Sequence, residues 1–468
     1  MGFLSENKIK FLDREAETRR IHRFMASPNP GLLGVHGPGG IGKTVLIWRT
    51  ADECHRLGIP HAHIDLADFP FTDSVDAMKE IAGQLDSRQA FASFWELLSG
   101  YHSRFQNRFL SLQAHKTLPP ANLFQSRNQV MEAFLQGLRQ LASDQPVVLL
   151  FDNLDAIPKR QGRDMLEKEL FSGASQVPTI KMVIASRGQV QWHNAFLEQI
   201  YTVLHLVPFD DDYAKDLTRA VLPDLLERDG FVRALKVSGG HPYSVIRLAK
   251  TAADNFDLTE ELLYQRLLEE LWANVIVRFM LKGVNASLQK LLSQVAIVRF
   301  FDLSGLKYFS RQSDLCLDAA PVQLIEVMDL LNREVSAVRF NETTKGYQLQ
   351  PPIRPVSLEM HRLSKALDAL NGLALRFYQG WLEHLPPGFD EWRRGVIEVT
   401  YHQGVIGRQP DQAKVFLARS LAQLGAQKNL EAAIKLRNEL GQDRELPAGL
   451  WQDVFAYFEA RELGTAAA

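Results

Sequence analysis

The stretch that decides this fold reads Gly34-Val-His-Gly-Pro-Gly-Gly-Ile-Gly-Lys-Thr-Val-Leu46. Within it, Gly37–Thr44 fits the spacing G-x-x-x-x-G-K-[ST] at every fixed position. Glycines let the backbone curl so that successive N–H groups face a phosphate, and Lys43 reaches toward the β- and γ-phosphates. Thr44 offers its hydroxyl to Mg²⁺, and the following helix points its positive end at the anion. The spacing therefore predicts a site for a nucleoside triphosphate.

The segments on either side of this loop support the same interpretation. The apolar run Gly31–Val35 predicts a short buried strand, and Thr44–Arg56 has the pattern of a helix. A strand, a loop and a helix in that order form the context in which the motif binds phosphate. The alternative is a glycine-rich turn without a ligand, and the agreement of both flanks argues against it.

Composition limits the classes of protein to which the chain can belong. Its 468 residues are enough for about three domains, and the hydrophobic content of 46% supports real cores. The formal net charge of −2 argues against bulk binding to nucleic acid. The two cysteines, Cys54 and Cys316, are typical of a reduced compartment without disulfides. Because there is no apolar run of about 18 residues and no cleavage-site pattern near Met1, we expect neither a transmembrane span nor a signal peptide. We expect a cytoplasmic protein without membrane contact.

A second strand is predicted to carry the metal-binding carboxylate. Val147–Phe151 is a continuous apolar run, typical of a strand buried on both faces, and it ends in Asp152-Asn-Leu-Asp155. A carboxylate at the end of a central strand beside a phosphate loop is where Mg²⁺ is held, so we predict that role for Asp152 together with Thr44. Asp155 is a candidate either to orient the attacking water or to cap a helix. Both alternatives stay open.

Three further strands are predicted at His61–Leu66, Ile180–Arg187 and Tyr201–Val207, each separated from the next by helical patterns. Strands that alternate with helices predict a parallel sheet with its ligand at the carboxyl ends of the strands. Alternation also places His61, His63 and Asp65 on one face of a strand, a spacing that suits a metal. Because no fourth ligand is evident, we favour the interpretation that this polar face meets a helix.

From Asp211 onward strand patterns give way to helices. Helical segments run to about residue 281, and further helices precede two short alternating segments, Val335–Phe340 and Tyr347–Gln350, which look like the hairpin of a winged helix. We predict an α/β P-loop NTPase domain with a parallel sheet at 1–208 and an all-α lid at 209–282. A winged-helix domain follows at 283–356, and an α-helical C-terminal region of helical hairpins occupies 357–468.

Five motifs, taken together and in order, resemble those of the STAND class of P-loop NTPases, the NB-ARC/NACHT-like signalling ATPases. The matching segments are Phe11–Glu15, Gly37–Thr44, Val147–Asp155, Ser186-Arg187 and Gly239–Pro242. The resemblance covers about residues 8–356. The phosphate-loop motif alone is generic, whereas the ordered set is specific.

The resemblance implies roles for individual residues. Phe11 and Arg14 would line the nucleotide site, Arg187 would sense the γ-phosphate, and Pro242 would pack on adenine. Where the family has a histidine that contacts the β-phosphate of ADP, this chain has Gln350, which predicts easier nucleotide exchange. Many members have Asp-x-x-Asp-Glu, but Ala156 follows Asp155 here, which predicts slow hydrolysis.

The predicted catalytic residues are Lys43, Asp152, Asp155 and Arg187. The predicted contacts with ATP or ADP are Phe11, Arg14, Gly37, Gly39, Gly40, Ile41, Gly42, Lys43, Thr44, Val45, Pro242 and Gln350. Thr44 and Asp152 are the predicted ligands of Mg²⁺.

The resulting prediction for function is an ATP/ADP-driven switch with slow hydrolysis. It would control oligomerisation, and residues from about 364 to 464 would bind a partner protein. The simpler alternative for this tail is that it completes the core of the winged helix. The second functional interpretation is a DNA-directed AAA+-like ATPase, against which near-neutral charge and Ser186-Arg187 argue. A metabolic kinase is third, because it leaves the helical regions without a role.

Overall fold

A computed structural model of the chain describes residues 14–67, 74–85, 89–99, 121–143, 145–157, 163–312, 321–341 and 346–464. Phe11 and Cys316 lie outside these residues. Among the described helices, none combines the length and the apolar character needed to cross a membrane. Two compact units divide the chain. The first contains residues up to Leu267 with Arg278–Lys282 and Asp329–Ser336, and the second contains Leu268–Val277, Gly283–Met328 and the residues from Ala337 onward.

Five parallel strands form the central sheet of the first unit: β1 (Gly31–His36), β2 (His61–Asp65), β3 (Val147–Asp152), β4 (Ile180–Ser186) and β5 (Tyr201–His205). Their order across the sheet is β2-β3-β4-β1-β5. Every residue of the three central strands is buried, in keeping with their mostly apolar sequences, whereas the two edge strands include half-buried or exposed positions. The predicted parallel α/β sheet is confirmed.

Alternation along each strand divides the core between the two faces of the sheet. In β3, Val148 and Leu150 pack in one apolar cluster, and Leu149 and Phe151 pack in the other. Each such side chain contributes roughly 1.5–3 kcal/mol when it is fully buried. The sheet is therefore firmly packed on both sides, and the residues at the carboxyl ends of its strands are held in fixed positions.

Helices surround this sheet and continue beyond it. In chain order they are α1 (Glu15–Met25), α2 (Lys43–Arg56), α3 (Ser74–Gln84), α4 (Ala121–Leu141), α5 (Ala195–Ile200), α6 (Asp211–Val221), α7 (Asp229–Val237), α8 (Pro242–Ala253) and α9 (Glu260–Glu270). Shorter helical segments occupy 92–99, Leu154–Ala156, Leu166–Ala174 and Pro223–Glu227, and a π-helical segment, Leu271–Met280, follows α9.

Side chains cover the polar edge of strand β2. The Gln84 side chain accepts the His63 N–H at 2.7 Å and donates to the His63 carbonyl at 2.9 Å, as a neighbouring strand would. An exposed strand edge otherwise offers its backbone groups to other chains.

The second unit begins with helices and a hairpin. The helices are α10 (Ala286–Val295), α11 (Leu303–Gln312) and α12 (Pro321–Asp329), and the antiparallel strands are β6 (Val338–Asn341) and β7 (Gly346–Leu349). A single bridge joins Phe301, between α10 and α11, to Tyr347 in β7. The chain therefore adds a one-residue third strand to the hairpin.

The rest of the second unit is helical, as predicted. Its helices are α13 (Ile353–Leu363), α14 (Leu367–Glu383), α15 (Asp390–Tyr401), α16 (Pro410–Ala426), α17 (Leu430–Gln442) and α18 (Gln452–Gly464). The buried Tyr378 hydroxyl of α14 donates to the Phe300 carbonyl at 3.2 Å. The fold class, an α/β P-loop NTPase domain followed by helical regions, is thereby confirmed.

Candidate phosphate-binding site

The loop between β1 and α2 needs glycine at two positions. Gly40 and Gly42 have φ angles of +80° and +104°, a left-handed conformation that side chains with a Cβ rarely adopt. A Cβ on Gly40 would also lie 2.7 Å from the Cβ of Tyr243. The glycine spacing in the sequence therefore has a physical reason in the backbone path.

Lys43, the first residue of α2, folds back over this loop. Its ammonium group donates to the carbonyl oxygens of Gly37 at 2.8 Å and Pro38 at 3.0 Å. Burial lowers the pKa of Lys43 to about 8, while the carboxylates of Asp155 and Asp152 partly offset this effect. The lysine is thus a buried cation whose hydrogen-bond partners are neutral carbonyl groups.

Three further carbonyl groups of the loop are held by donors from outside it. The pairs are the Gly39 carbonyl with His241 Nε2 at 2.8 Å, the Gly40 carbonyl with the Tyr243 N–H at 3.3 Å, and the Ile41 carbonyl with the Arg14 guanidinium at 3.0 Å. Arg14 stands just before α1, and His241 and Tyr243 stand at the start of α8. The carbonyl side of the loop is therefore fully engaged by the protein.

Several N–H groups of the loop have no partner among the described residues, although those of Gly37 and Ile41 donate to the Arg187 and Pro38 carbonyls. Within the part of the chain that the structure describes, no acceptor takes the N–H groups of Gly40, Gly42, Lys43 or Thr44. These groups stand at the N-terminus of α2, a helix of 14 residues, where the helix dipole is positive. Free N–H donors at such a place form an anion site.

Asp152, the last residue of β3, fits the predicted Mg²⁺ site. Its side chain is fully buried, and one carboxylate oxygen accepts the Asn153 N–H at 2.9 Å. The other oxygen, Oδ2, is buried without a hydrogen-bond partner among the described residues. Burial raises the pKa of Asp152, and the nearby Thr44 hydroxyl opposes that shift. An unpartnered carboxylate oxygen beside a hydroxyl is a ligand pair that a hard cation such as Mg²⁺ prefers.

Asp155 and Arg187 form a pair at the ends of neighbouring strands. One Asp155 oxygen accepts the Arg187 backbone N–H at 2.8 Å, and the other lies 3.3 Å from the Arg187 Nε. The guanidinium lies over the ring of Phe279, 6.0 Å from its centre. Asp155 therefore holds Arg187, and within the described residues the cap of the short turn Leu154–Ala156 is Asn153.

The other predicted nucleotide contacts occupy several places. Arg14 is buried, pairs with Glu17 at 2.9 Å and lies over the Phe209 ring. Pro242 is the first residue of α8. Gln350 follows β7 in the second unit, where its backbone is held by Ala337 and Ile353. Phe11 lies outside the described residues, so its role stays a prediction.

Two contacts with the phosphate loop escaped sequence reasoning. His241 lies within the Gly239–Pro242 motif, and its fully buried ring forms a hydrogen bond with the Gly39 carbonyl of the loop. Phe279 stacks on Tyr243 with ring centres 4.6 Å apart, and it borders Gly39 and Gly40. The position of His241 inside the Gly239–Pro242 motif was the one available signal. Phe279 offered none, because its apolar surroundings in the sequence are those of any helix.

A buried chain of hydrogen bonds lies next to the start of the phosphate loop, at the end of β1. The Tyr201 hydroxyl donates to Nε2 of His36, whose Nδ1 lies 2.8 Å from the Ser186 hydroxyl, which donates to the Gly188 carbonyl at 2.6 Å. Burial, together with the nearby His205 and Lys43, lowers the pKa of His36 to about 3. The neutral imidazole therefore ties the last residue of β1 to the end of β4.

The metal interpretation of His61, His63 and Asp65 gains no support. Among the described residues no group of three or more His, Cys, Asp or Glu side chains is placed to hold a metal ion. Asp65 instead accepts from the Asn153 side chain at 2.9 Å.

Residues 10–178 match the family model described as AAA ATPase domain. The fold is that of a P-loop NTPase. The match covers the phosphate loop and the Asp152 strand of this P-loop NTPase. The family that matches is therefore an AAA ATPase domain, whereas the sequence motifs predicted the STAND class. That finer assignment is not confirmed and stays a proposal.

The similarity of the chain to solved structures is low. Cdc6p from Pyrobaculum aerophilum is 15% identical with a TM-score of 0.35, over 76% of this chain and 96% of that chain. ORC1 from Aeropyrum pernix, solved in complex with DNA, is 15% identical with a TM-score of 0.36, over 75% and 94%. A chain of Drosophila ORC bound to DNA is 15% identical with a TM-score of 0.35, over 74% and 86%. TM-scores of this size carry no further conclusion. No curated protein sequence matches the chain.

Proposed function

We propose that this P-loop NTPase is an ATP/ADP-driven molecular switch of the STAND type, which controls oligomerisation and acts through a partner protein. Exchange of ADP for ATP would change which of two arrangements of the chain is more stable, and the nucleotide acts by binding one of them more tightly. Nucleotide binding is the part of the proposal that has direct support in the geometry.

The proposal rests on one observation: the N–H groups and the carbonyl groups of the phosphate loop face different partners. Several of its N–H groups have no acceptor among the described residues and are available to an anion, while the carbonyl groups of Gly39 and Gly40 are held by His241 and Tyr243 at the start of α8. A ligand that binds the N–H groups of this loop acts on the same peptide units whose carbonyl groups are held by the start of α8. This arrangement suits a protein in which nucleotide state is read by a neighbouring helical region.

Slow hydrolysis is part of the proposal. Asp155, the candidate for orienting the attacking water, is engaged by the backbone N–H and the side chain of Arg187. The next residue is Ala156, so no second acid stands there. A long-lived ATP state follows, as a switch requires.

We further propose that residues 283–356 act as a winged-helix domain. The order α10, bridge, α11, α12, β6 and β7 is typical of that domain. In this proposal Gln350 contacts ADP less firmly than a histidine would, because a neutral amide lacks a charged donor.

The test is the mass of the full chain in solution with Mg²⁺ and ADP, ATP or a non-hydrolysable ATP analogue. We expect a larger assembly with the analogue than with ADP, and no such difference in the Lys43→Ala variant. Equal mass in all nucleotide states would show that the protein binds nucleotide without switching its assembly.

The match to an AAA ATPase domain favours a second candidate, a DNA-directed ATPase whose winged helix binds DNA. That function predicts affinity for duplex DNA that falls steeply as salt concentration rises. Titration of DNA at two salt concentrations separates the two candidates, because the switch needs no such affinity.

A partner protein bound by the C-terminal helices is also proposed. Phe389 and Tyr457 in this region are 60% and 70% exposed, which is high for aromatic side chains. The test replaces each by lysine and measures retention of a co-purifying protein. These changes are preferable to deleting residues 364–468, because Tyr378 and other side chains of that region are buried within the second unit.

A further inference from the structure

His241 connects the start of α8 to the phosphate loop through both nitrogens of its ring. Nε2 lies 2.8 Å from the Gly39 carbonyl oxygen. Nδ1 lies 2.9 Å from the Ser244 hydroxyl and 3.3 Å from the Ser244 backbone nitrogen. The side chain is fully buried, so water does not compete for these bonds.

The partners fix which nitrogen carries the proton. A carbonyl oxygen can only accept, so the Nε2 of His241 must donate to Gly39. Burial lowers the pKa of His241 to about 4, so the ring is neutral at pH 7 and Nδ1 is free to accept from Ser244. The two nitrogens therefore do separate work: Nδ1 caps helix α8, and Nε2 holds the loop.

The bond to Gly39 also orients the next N–H group. In a trans peptide the carbonyl of one residue and the N–H of the next point in opposite directions. With the Gly39 carbonyl held outward by His241, the Gly40 N–H faces the other side of the loop. That N–H has no acceptor within the described residues, and it belongs to the set of free donors at the start of α2.

We propose that His241 is a positioning residue for phosphate binding, which holds the Gly39–Gly40 peptide so that the Gly40 N–H meets the diphosphate of ADP or ATP. The inference rests on the proposed nucleotide binding and deepens it. Glycine loops of this spacing cradle the α- and β-phosphates, so the effect is shared by ADP and ATP. Because binding free energies are reciprocal, nucleotide in turn strengthens the contact between α8 and the loop.

Two substitutions separate the two nitrogens. In His241→Asn the shorter amide places its oxygen near the position of Nδ1, so it still accepts from Ser244 but cannot reach Gly39. In His241→Gln the longer amide places its nitrogen near the position of Nε2, so it still donates to Gly39 but no longer caps α8. Ser244→Ala is the matched control, since it removes the hydroxyl and leaves the backbone N–H that the cap uses.

The experiment measures affinity for ADP, ATP and AMP with Mg²⁺ and the denaturant midpoint of unfolding, all on the full chain. We expect His241→Asn to lose about tenfold in affinity for ADP and ATP and less for AMP, and its midpoint also falls, because the buried Gly39 carbonyl loses its donor. His241→Gln should keep ADP affinity within about threefold while its midpoint falls. Ser244→Ala should change the affinity for none of the three nucleotides.

Wild-type ADP affinity in His241→Asn would overturn the inference. So would equal losses of ADP and AMP affinity, or a loss in His241→Gln as large as in His241→Asn, since a purely structural histidine gives those patterns. If His241→Gln does not fold, the Asn variant and the ADP-to-AMP comparison still decide. Failure of the wild-type chain to bind any nucleotide would overturn the proposed function itself and the inference with it.

Discussion

Buried cationic side chains occur in both compact units, and their partners differ. Beside the phosphate loop, Lys43 donates to two backbone carbonyl groups, and Arg14 donates to a third carbonyl and pairs with Glu17. In the second unit, Arg299 pairs with Glu398 and Asp443. Among the described residues Lys43 has no ion pair and keeps its positive charge, whereas Arg14 shares its charge with Glu17. Arg299 is neutralised by its neighbours.

The second unit repeats this neutral pattern at other arginines. Arg354 donates to the Tyr401 hydroxyl at 2.9 Å and pairs with Glu445 at 3.1 Å. Arg393 pairs with Glu439 at 2.7 Å and also donates to the Gly388 carbonyl. These arginines connect segments that are far apart in sequence, and their guanidinium groups already donate to carboxylate, hydroxyl or carbonyl oxygens.

The difference teaches how to tell a site from a scaffold when the residue types are the same. A buried cation that faces carboxylates is stabilised where it stands and gains little from a further anion. A buried cation held by carbonyl groups, next to free N–H donors, gains a great deal from one. On this reasoning the phosphate loop binds an anion, and the arginines of the second unit hold the helices together.

The largest effect is expected in the second unit. Arg299→Ala leaves the Glu398 carboxylate, which is 1% exposed, without its charge partner. Breaking a buried pair from one side costs about 3–5 kcal/mol, so the free energy of unfolding should fall by that amount in urea titration. The control is Arg437→Ala, whose exposed pair with Glu459 should contribute less than about 1 kcal/mol. Equal losses of stability in the two variants would contradict the claim that the buried arginines of the second unit stabilise its fold.

In the first unit the corresponding change acts on binding. Asp152→Asn keeps the shape of the side chain and removes the charge that Mg²⁺ needs. We expect Mg²⁺ to strengthen ATP binding at least about tenfold less in the variant than in wild type, measured by titration calorimetry with Mg²⁺ and with EDTA. In EDTA the two proteins should bind ATP with similar affinity. An unchanged Mg²⁺ effect would place the metal on other ligands.

The pH dependence of ADP binding sharpens the comparison, because Lys43 can titrate and the arginines cannot. The pKa of Lys43 is about 8 in the free protein, and a bound phosphate favours the charged form. Affinity is therefore full below pH 8 and falls above it by up to about tenfold per pH unit, since binding then requires uptake of a proton. Lys43→Ala should show no such slope. A flat wild-type profile between about pH 7 and pH 9.5 would contradict this prediction.

A smaller effect is expected at Arg187, whose guanidinium is shared with Asp155. Arg187→Ala should narrow the ratio of ATP to ADP affinity by about fivefold, because one charge-assisted contact with the γ-phosphate is lost and its pair with Asp155 already reduces its value. Arg56→Ala, at an exposed ion pair, serves as the control. Equal losses for both nucleotides would make Arg187 a structural residue.

Much of the first unit follows from local sequence. The strand Val147–Asp152 is a continuous apolar run because it is buried on both faces, and such a run leaves little choice of structure. The phosphate loop follows from glycines whose dihedral angles other residues rarely adopt. Both signals lie within a few residues, so they can be read without the rest of the chain.

Contacts between distant segments could not be predicted in this way. His241 meets Gly39 across 202 residues, and Arg299 meets Asp443 across 144. The residue types alone do not say whether an arginine faces carbonyl groups or carboxylates, since that depends on how the elements pack. Asp155 illustrates the same limit. The sequence suggested that it orients the attacking water or caps a helix, and it did not reveal the contact with Arg187 that the structure shows.

The most direct test of the account is titration of ADP with Mg²⁺ into the full-length wild-type chain and into Lys43→Ala, with the unfolding midpoint of each measured in parallel. The account predicts one ADP site in the wild type and a loss of affinity on the order of a hundredfold in the variant, because the cationic contact with the phosphates is lost. It predicts a smaller loss of stability than in Arg299→Ala, because Lys43 meets neutral carbonyl groups and no ion pair is broken. Equal ADP affinity in the two proteins, or a variant that loses stability as Arg299→Ala is expected to, would contradict it.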